Sequence, residues 1–197
     1  MEYFAGLDVA TLESALCVVD GAGAIVLEAK VASEPAAIAE CLRPFSSALR
    51  NIGHEAGSLS PWLQRELKAM GFPIHCLETV HVKAALKAQR NKTDRNDARG
   101  LAQMMRTGWF KSVHVKSEAS YRLRLLLSNR RNLKRKFIDL ESAVRMSLKA
   151  FGVKVSAQCG RMGFDAKVRE LVAHDPVLTG LCDAMLRARA ALWAEYT

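Results

Sequence analysis

Two aspartates three residues apart, Asp94 and Asp97, have the types and spacing best suited to chemistry in this chain. Residues at that spacing share one face of a helix, and the positive end of the helix dipole favours carboxylates near its start. Two neighbouring negative charges repel each other, and a divalent cation that accepts hard carboxylate oxygens, Mg²⁺ or Mn²⁺, would relieve the repulsion. Lys92, Arg95 and Arg99 flank the pair and suit a substrate that carries phosphate.

Both features also have a simpler interpretation. The two aspartates fit an ordinary first turn of a helix in which Asp serves as the cap. The basic residues fit the neutralisation of the carboxylates beside them. Whether the sequence predicts a metal site therefore depends on the strands and helices that would position these residues.

The chain before the aspartate pair predicts an α/β domain with a mixed sheet. Short apolar runs bounded by turn residues predict five strands, at Tyr3–Val9, Glu13–Asp20, Ala24–Val31, Asn51–Glu55 and Pro73–Glu78. The first three are expected to form a meander, and helices are expected to separate and follow the later strands. This element order is that of the RNase H-like, Holliday-junction-resolvase-like fold.

Two helices between these strands have recognisable ends. The first is predicted to begin with Ser33 as its cap and Pro35 in its first turn. Its apolar stripe is predicted to consist of Ile38, Leu42, Phe45 and Leu49. The second is predicted from about Ser60 to Met70, with Gly71 as its stop.

From about Glu118 the pattern changes to that of a long basic helix, predicted over about residues 118–151. Leu126, Leu133 and Leu140 repeat every seven residues, as in a coiled coil. Shorter helices from about 165 and 176 are expected to pack back, the last through Leu178, Leu181, Met185, Leu192 and Tyr196. A boundary near residues 112–118 therefore divides a catalytic domain, 1–112, from a basic helical arm, 113–197.

The positive charge is concentrated in the middle of the chain. Residues 1–82 hold five Lys and Arg against ten Asp and Glu, whereas residues 83–154 hold nineteen against five. Such a region gains free energy on polyanions by releasing condensed counterions, so nucleic acid is the predicted partner. The residues expected to contact its backbone in the arm are Arg130, Arg131, Lys134, Arg135 and Lys136. The alternative is a solvated helix face whose long side chains cover apolar surface.

Composition excludes several classes of protein. No apolar run approaches the roughly 20 residues of a membrane-spanning helix, and the N-terminus has no basic stretch typical of an export signal. The five cysteines are widely spaced without a Cys-x-x-Cys pair, which argues against zinc and disulfides. We therefore expect buried thiols in a protein of a reducing cytoplasm. Because the chain stops at Thr197 within a helical pattern, it is expected to be part of a longer protein.

Two further acids complete a possible metal site. Asp8 lies on the first predicted strand, which is central in an RNase H-like sheet, and Glu55 ends the fourth. Together with Asp94 and Asp97 they form a set that could converge on two cations for phosphoryl transfer. Three sequence blocks around these acids, residues 4–10, 55–63 and 91–102, resemble the N-terminal part of the DEDD transposases of bacterial insertion sequences, which are related to Piv-type DNA invertases.

The resemblance implies a role for each acid and for the chain. Asp8, Glu55, Asp94 and Asp97 would be the four acids that name the family, and they would bind catalytic Mg²⁺ or Mn²⁺, two ions in all. The chain would then be the N-terminal catalytic domain of a DNA transposase, guided by a non-coding RNA and assembled as a homodimer or higher oligomer through the arm. A second domain with a serine nucleophile is expected elsewhere, so this part alone would not recombine DNA.

Two other functions stay open at this stage. One is a stand-alone junction resolvase or nuclease of the same fold, with water as its nucleophile. The other is a non-catalytic module for nucleic-acid binding and dimerisation.

Overall fold

The computed structural model describes residues 1–87 and 93–197 of the chain. They form two compact units, an N-terminal unit, Met1–Glu118, and a C-terminal unit, Ala119–Thr197. The sequence predicts a boundary between residues 112 and 118. Within the described ranges, no helix is both long enough and apolar enough to span a membrane.

The N-terminal unit is built on a mixed five-stranded sheet. Its strands are β1 (Tyr3–Asp8), β2 (Glu13–Asp20), β3 (Ile25–Ala32), β4 (Leu49–Glu55) and β5 (Ile74–Leu77). They lie in the order β3-β2-β1-β4-β5, so β1 is central. The first three form an antiparallel meander, while β4 runs parallel to both β1 and β5. The predicted RNase H-like fold is confirmed.

In the described part of this unit, four helices follow the strands: α1 (Pro35–Leu42), α2 (Ser60–Ala69), α3 (Thr79–Leu86) and α4 (Asp94–Thr107). Buried side chains of α1 and α2, such as Ile38 and Leu63, pack with Leu7 of β1 on one face of the sheet. On the other face Leu101 of α4 packs with Phe4 and other residues of β1 and β2. Neighbouring β1 residues therefore face opposite layers, as strand geometry requires.

The predictions for α1 were wrong at both ends. Its N-cap is Glu34, because the buried Ser33 hydroxyl instead donates to the Ala10 carbonyl at 2.7 Å. At the other end, a short 3-10 helix follows Leu42, since Pro44 lacks the amide that an α-helix needs. Leu49 consequently belongs to β4 rather than to the helix.

Helix α4 crosses β1 in direct backbone contact. A Cβ on Gly6 would lie 2.2 Å from the Ala98 carbonyl oxygen, so glycine is needed for this close approach. The Gln103 side chain near the end of α4 donates to the Gly23 carbonyl, at 2.8 Å, in the turn between β2 and β3. That turn lies beside the start of β1, because Tyr3 pairs with Asp20. Helix α4 therefore runs antiparallel to β1, and its first turn lies towards the carboxyl end of that strand.

The C-terminal unit contains the long helix and two shorter ones. Helix α5 spans Glu118–Leu148 and continues as a 3-10 helix, Lys149–Phe151, close to the predicted range. Helices α6 (Phe164–Val172) and α7 (Pro176–Tyr196) pack with the second half of α5 around a core that contains Val144.

The predicted apolar stripes of α5 and α7 were only partly right. Leu126 is 64% exposed, since the buried positions of α5 begin at Phe137. On α7 the buried side is Leu178, Cys182, Leu186 and Arg189, whereas Leu181 is 63% exposed. An arginine occupies a core position there, which an apolar pattern does not reveal.

Candidate functional site

Asp8 and Glu55 meet at one edge of the sheet. They are the last residues of the adjacent parallel strands β1 and β4, whose register pairs Leu7 with His54 immediately before them. Both acids line the same open cavity of about 170 Å³, together with the loops that follow the two strands. Residues far apart in sequence are thus brought to a common site, as the carboxyl ends of parallel strands permit.

Strand alternation places both acids on the face covered by α4. A Cβ on Gly53 of β4 would lie 2.4 Å from the Met105 sulfur of α4, just as one on Gly6 would meet Ala98. Asp8 and Glu55 each stand two residues after one of these glycines, so they belong to the same face. The carboxylates that follow the two glycines on these strands therefore lie towards the start of α4.

The first turn of α4 supplies the other two acids. Thr93 is the N-cap, and its hydroxyl accepts a hydrogen bond from the Asn96 amide at 3.2 Å. The interpretation of an aspartate cap is therefore wrong. Asp94 and Asp97 lie one turn before Ala98 and Leu101, which are buried in the sheet-facing side of the helix. The pair consequently lies on that side, at the end of α4 that is near the carboxyl end of β1.

The donor set suits a hard divalent cation, but the structure does not form a closed ligand shell. Four carboxylates on one face and one edge of the sheet offer the oxygen ligands that Mg²⁺ and Mn²⁺ prefer. In the ranges 1–87 and 93–197, no three His, Cys, Asp or Glu side chains lie close enough together to hold an ion. The sheet brings Asp8 and Glu55 into one cavity, and Asp94 and Asp97 lie at the same edge. Their role as metal ligands stays a prediction.

The arginines beside the aspartate pair contact a third acid, Glu28 of β3. Arg95 Nε and Arg99 Nη2 donate to Glu28 Oε2 at 2.8 and 2.9 Å, and each guanidinium makes a second contact with the same carboxylate. Hydrogen bonds from Arg99 and then Arg95 lower the pKa of Glu28 to about 2. These two arginines therefore neutralise a distant carboxylate rather than Asp94 and Asp97. The third predicted phosphate contact, Lys92, lies outside the described residues.

A buried hydrogen-bond network supports the loop after Glu55. The Ser60 hydroxyl accepts from the Gly57 amide at 2.7 Å, donates to the Glu55 carbonyl at 3.1 Å and lies 3.3 Å from His54 Nδ1. Burial disfavours the charged imidazolium and lowers the pKa of His54 to about 4. His54 is thus a neutral buried residue that helps to fix the backbone carrying Glu55.

The basic residues predicted to bind nucleic acid share an exposed surface of α5. Among the described residues, none of the five forms an ion pair with a carboxylate. They are Arg130, Arg131, Lys134, Arg135 and Lys136. This absence of acidic partners favours a free cationic surface over a salt-bridged helix face.

Comparison with known proteins decides the family. The model of the IS110-type DEDD transposases, described as "Transposase", matches residues 5–152 of the chain. The chain belongs to this family. Membership in the DEDD transposases confirms the resemblance read from the three sequence blocks, and it implies a nucleic-acid-cleaving enzyme of the DNA transposase or nuclease type. DEDD nucleases of this kind generally depend on divalent metal ions.

Two solved structures from Thermus thermophilus are similar to this DEDD transposase chain. One is described as RuvC in complex with a Holliday junction substrate, with 16% identity, a TM-score of 0.44, and coverage of 57% of this chain and 100% of that one. The other, a RuvC structure, has 18% identity, a TM-score of 0.41, and coverage of 56% and 99%. Among curated proteins no match was found.

Sequence reasoning missed two residues that shape the candidate DEDD site. Glu28 holds both arginines of α4, but it is 67 and 71 residues away from them, so no local pattern reveals the pairing. Ser60 was interpreted only as a helix start. The turn signal Gly57-Ser58-Leu59-Ser60, directly after a candidate catalytic acid, could have indicated that its hydroxyl orders this loop.

Proposed function

We propose that the N-terminal unit is the metal-binding part of a DNA transposase active site, with Asp8, Glu55, Asp94 and Asp97 as ligands. The observation that carries the proposal is the position of all four acids on one face, at one edge of the sheet. Two bound Mg²⁺ or Mn²⁺ ions would supply Lewis-acid stabilisation of the attacking and leaving oxygens in phosphoryl transfer.

The residues of the chain have separate tasks in this reaction. Asp8 and Glu55, fixed at the ends of two central strands, hold the site on the rigid sheet. Asp94 and Asp97, on the first turn of α4, complete the metal site from the helix that covers this face of the sheet. Lys92, Arg95 and Arg99 orient the phosphates of the strand to be cut, and the two arginines do so by sharing their donors with Glu28.

The arm binds nucleic acid and joins protomers. The five basic residues at 130, 131 and 134–136, which lack carboxylate partners within the described ranges, fit the backbone of DNA or of a guide RNA. Large apolar side chains at Leu123 and Leu126 are more than half exposed on the first half of α5. Such a surface suits a second copy of the helix, as in a homodimer or higher oligomer.

The remaining parts of the proposal follow from the family rather than from the geometry. A serine from another domain would be the nucleophile, so residues 1–197 alone would bind metal and nucleic acid without recombining DNA. The reaction would be transposition of an insertion sequence, selected by a guide RNA, at the nucleoid in the bacterial cytoplasm.

A Mn²⁺ titration of matched variants tests the metal site. Asp94→Asn/Asp97→Asn removes two proposed ligands at nearly constant shape, while Asp139→Asn removes an exposed carboxylate of α5. We expect calorimetry to show Mn²⁺ binding that the double variant loses and the control keeps. Equal binding by all three proteins would refute the proposed ligands. Mg²⁺-dependent hydrolysis of a DNA junction by the 197-residue chain would instead support a nuclease that uses water.

A further inference from the structure

Beside the basic residues of α5, the C-terminal unit contains a cavity lined by cationic side chains and one aromatic ring. The cavity has a volume of about 300 Å³ and is lined by Leu127, Arg130, Arg131 and Lys134 of α5 and by Tyr196 of α7. This volume lies at the lower end of the range for small-ligand pockets, about 300–1,000 Å³. Three cations around so small a space would repel each other, and an anion would relieve the repulsion.

Neighbouring side chains hold the aromatic ring of this cavity, Tyr196, in place. The ring of Tyr196 lies 5.5 Å from that of Phe137 and 5.7 Å from that of Trp193, and Phe137 is fully buried. The Arg130 guanidinium stacks over the Tyr196 ring, 4.5 Å from its centroid. The stacked pair therefore offers a planar surface whose orientation is already set before any ligand binds.

We propose that this cavity binds a nucleotide of a single strand, with its base stacked on the Arg130–Tyr196 pair and its phosphates against Arg131 and Lys134. Unpaired bases are recognised by stacking on aromatic rings and arginine planes, which duplexes do not permit because their bases are stacked internally. Contact with a duplex backbone alone would need exposed cations but no recessed aromatic ring.

This inference rests on the proposed binding of nucleic acid by the arm, and it adds which form of nucleic acid the arm selects. Single-stranded RNA and single-stranded DNA share the required chemistry, a free base with a neighbouring phosphate. The 2′-hydroxyl distinguishes them only if the cavity also contacts the sugar, so both strands belong in the test.

Fluorescence of 2-aminopurine within a short oligonucleotide provides the test, since stacking on the protein changes its emission. The 197-residue chain is titrated with single-stranded RNA, single-stranded DNA and a duplex of the same length. Tyr196→Leu keeps an apolar side chain but removes the ring, and Arg130→Lys keeps the charge but removes the plane. Arg124→Lys makes the same change at an exposed arginine of α5 that lies outside both the cavity and the set proposed to bind the backbone, and it is the matched control.

Stacking on one base is worth about 5- to 150-fold in affinity, so Tyr196→Leu and Arg130→Lys should each weaken single-strand binding within that range. Tyr196→Leu should bind duplex as wild type does, and Arg124→Lys should bind both single strands and duplex as wild type does. Arg130→Lys keeps its charge, so its duplex affinity should fall less than its single-strand affinity. Tyr196→Phe, which retains the ring, should bind single strands as wild type does.

The possible failures are distinguishable. If Tyr196→Leu and Arg130→Lys bind single strands with wild-type affinity, or if their affinities for single strands and for duplex fall equally, the nucleotide site is refuted. In that case a loss of duplex binding in Arg131→Ala/Lys134→Ala would leave the proposed function of the arm standing. If wild type binds none of the three nucleic acids, both the arm's proposed function and the nucleotide site are wrong.

Discussion

Replacement of Gly6 by alanine should destabilise the N-terminal unit and displace the helix that carries two of the proposed ligands. The new Cβ would lie 2.2 Å from Ala98 O, 2.3 Å from Ala102 N and 2.7 Å from Leu101 Cβ. Ordinary contact at a Cβ begins at 3.4 Å, so α4 has to move by about 1.2 Å, the difference between 3.4 and 2.2 Å. Because two of the three atoms belong to the backbone, no side-chain rotation can relieve the overlap.

The expected cost follows from this overlap. Overpacking a core costs about 1–3 kcal/mol, and contact with a helix backbone places Gly6→Ala near 3 kcal/mol. Alanine also lowers the entropy of the unfolded chain, which offsets about 0.4–1 kcal/mol. A net loss of about 2 kcal/mol or more is a large part of a typical stability of about 5–15 kcal/mol.

Two other glycines provide matched controls. Gly53→Ala would overlap mainly with the flexible Met105 side chain, at 2.4 Å from its sulfur, so we expect about 1 kcal/mol. A Cβ on Gly21 meets no described atom within 4 Å, and Gly21→Ala should change stability by about 0.5 kcal/mol or less. Urea denaturation followed by circular dichroism measures all three. If Gly6→Ala were as stable as Gly21→Ala, the close packing of α4 on β1 would be wrong.

Three further predictions concern charged and buried polar groups. Because the pKa of Glu28 is lowered from 4.5 to about 2, its ionised carboxylate stabilises the folded protein above pH 4.5. This contribution is lost as the pH falls through about 2. Urea denaturation between pH 5 and 2 should therefore show a smaller fall in stability for Glu28→Gln than for wild type. An equal fall in both proteins would contradict the pairing of Glu28 with the arginines. Arg189 is 5% exposed and donates to Glu141 and Asp165. Arg189→Ala should lower the free energy of unfolding by about 3–5 kcal/mol, measured by thermal or urea unfolding. Replacement of the exposed Arg187 by alanine should leave it almost unchanged. Replacing Arg130, Arg131, Lys134, Arg135 and Lys136 of α5 together by alanine should weaken DNA binding and flatten its dependence on salt in fluorescence anisotropy. An unchanged salt slope would count against a role for them in binding the backbone.

Sequence reasoning predicted the sheet well because its signals are local. The strands are buried runs bounded by turns, so β2 was predicted with its actual ends, Glu13 and Asp20, and the others within about two residues. The meander of the first three strands and the mixed sheet followed from the rules that govern short connections and parallel pairs. The positions of Asp8 on the first predicted strand and of Glu55 at the end of the fourth in turn predicted that the two acids converge.

Two of the failures involve partners that are distant in sequence. The hydroxyl of Ser33 looks like a helix cap, but its acceptor is the carbonyl of Ala10, 23 residues away. The predicted apolar stripe of α7 missed part of the buried side because Arg189 is buried there through ion pairs with Glu141 and Asp165. Pairings of this kind depend on tertiary structure, which no periodicity along a single helix encodes.

The central claim is that four separated acids share divalent ions at one edge of the sheet. The most direct measurement is a crystal structure of the chain soaked in Mn²⁺, with the metal located by its anomalous scattering. We predict Mn²⁺ between Asp8 and Glu55 on one side and Asp94 and Asp97 on the other, at oxygen-ligand distances. Mn²⁺ bound elsewhere, or no Mn²⁺ at these carboxylates at saturating concentration, would contradict the claim.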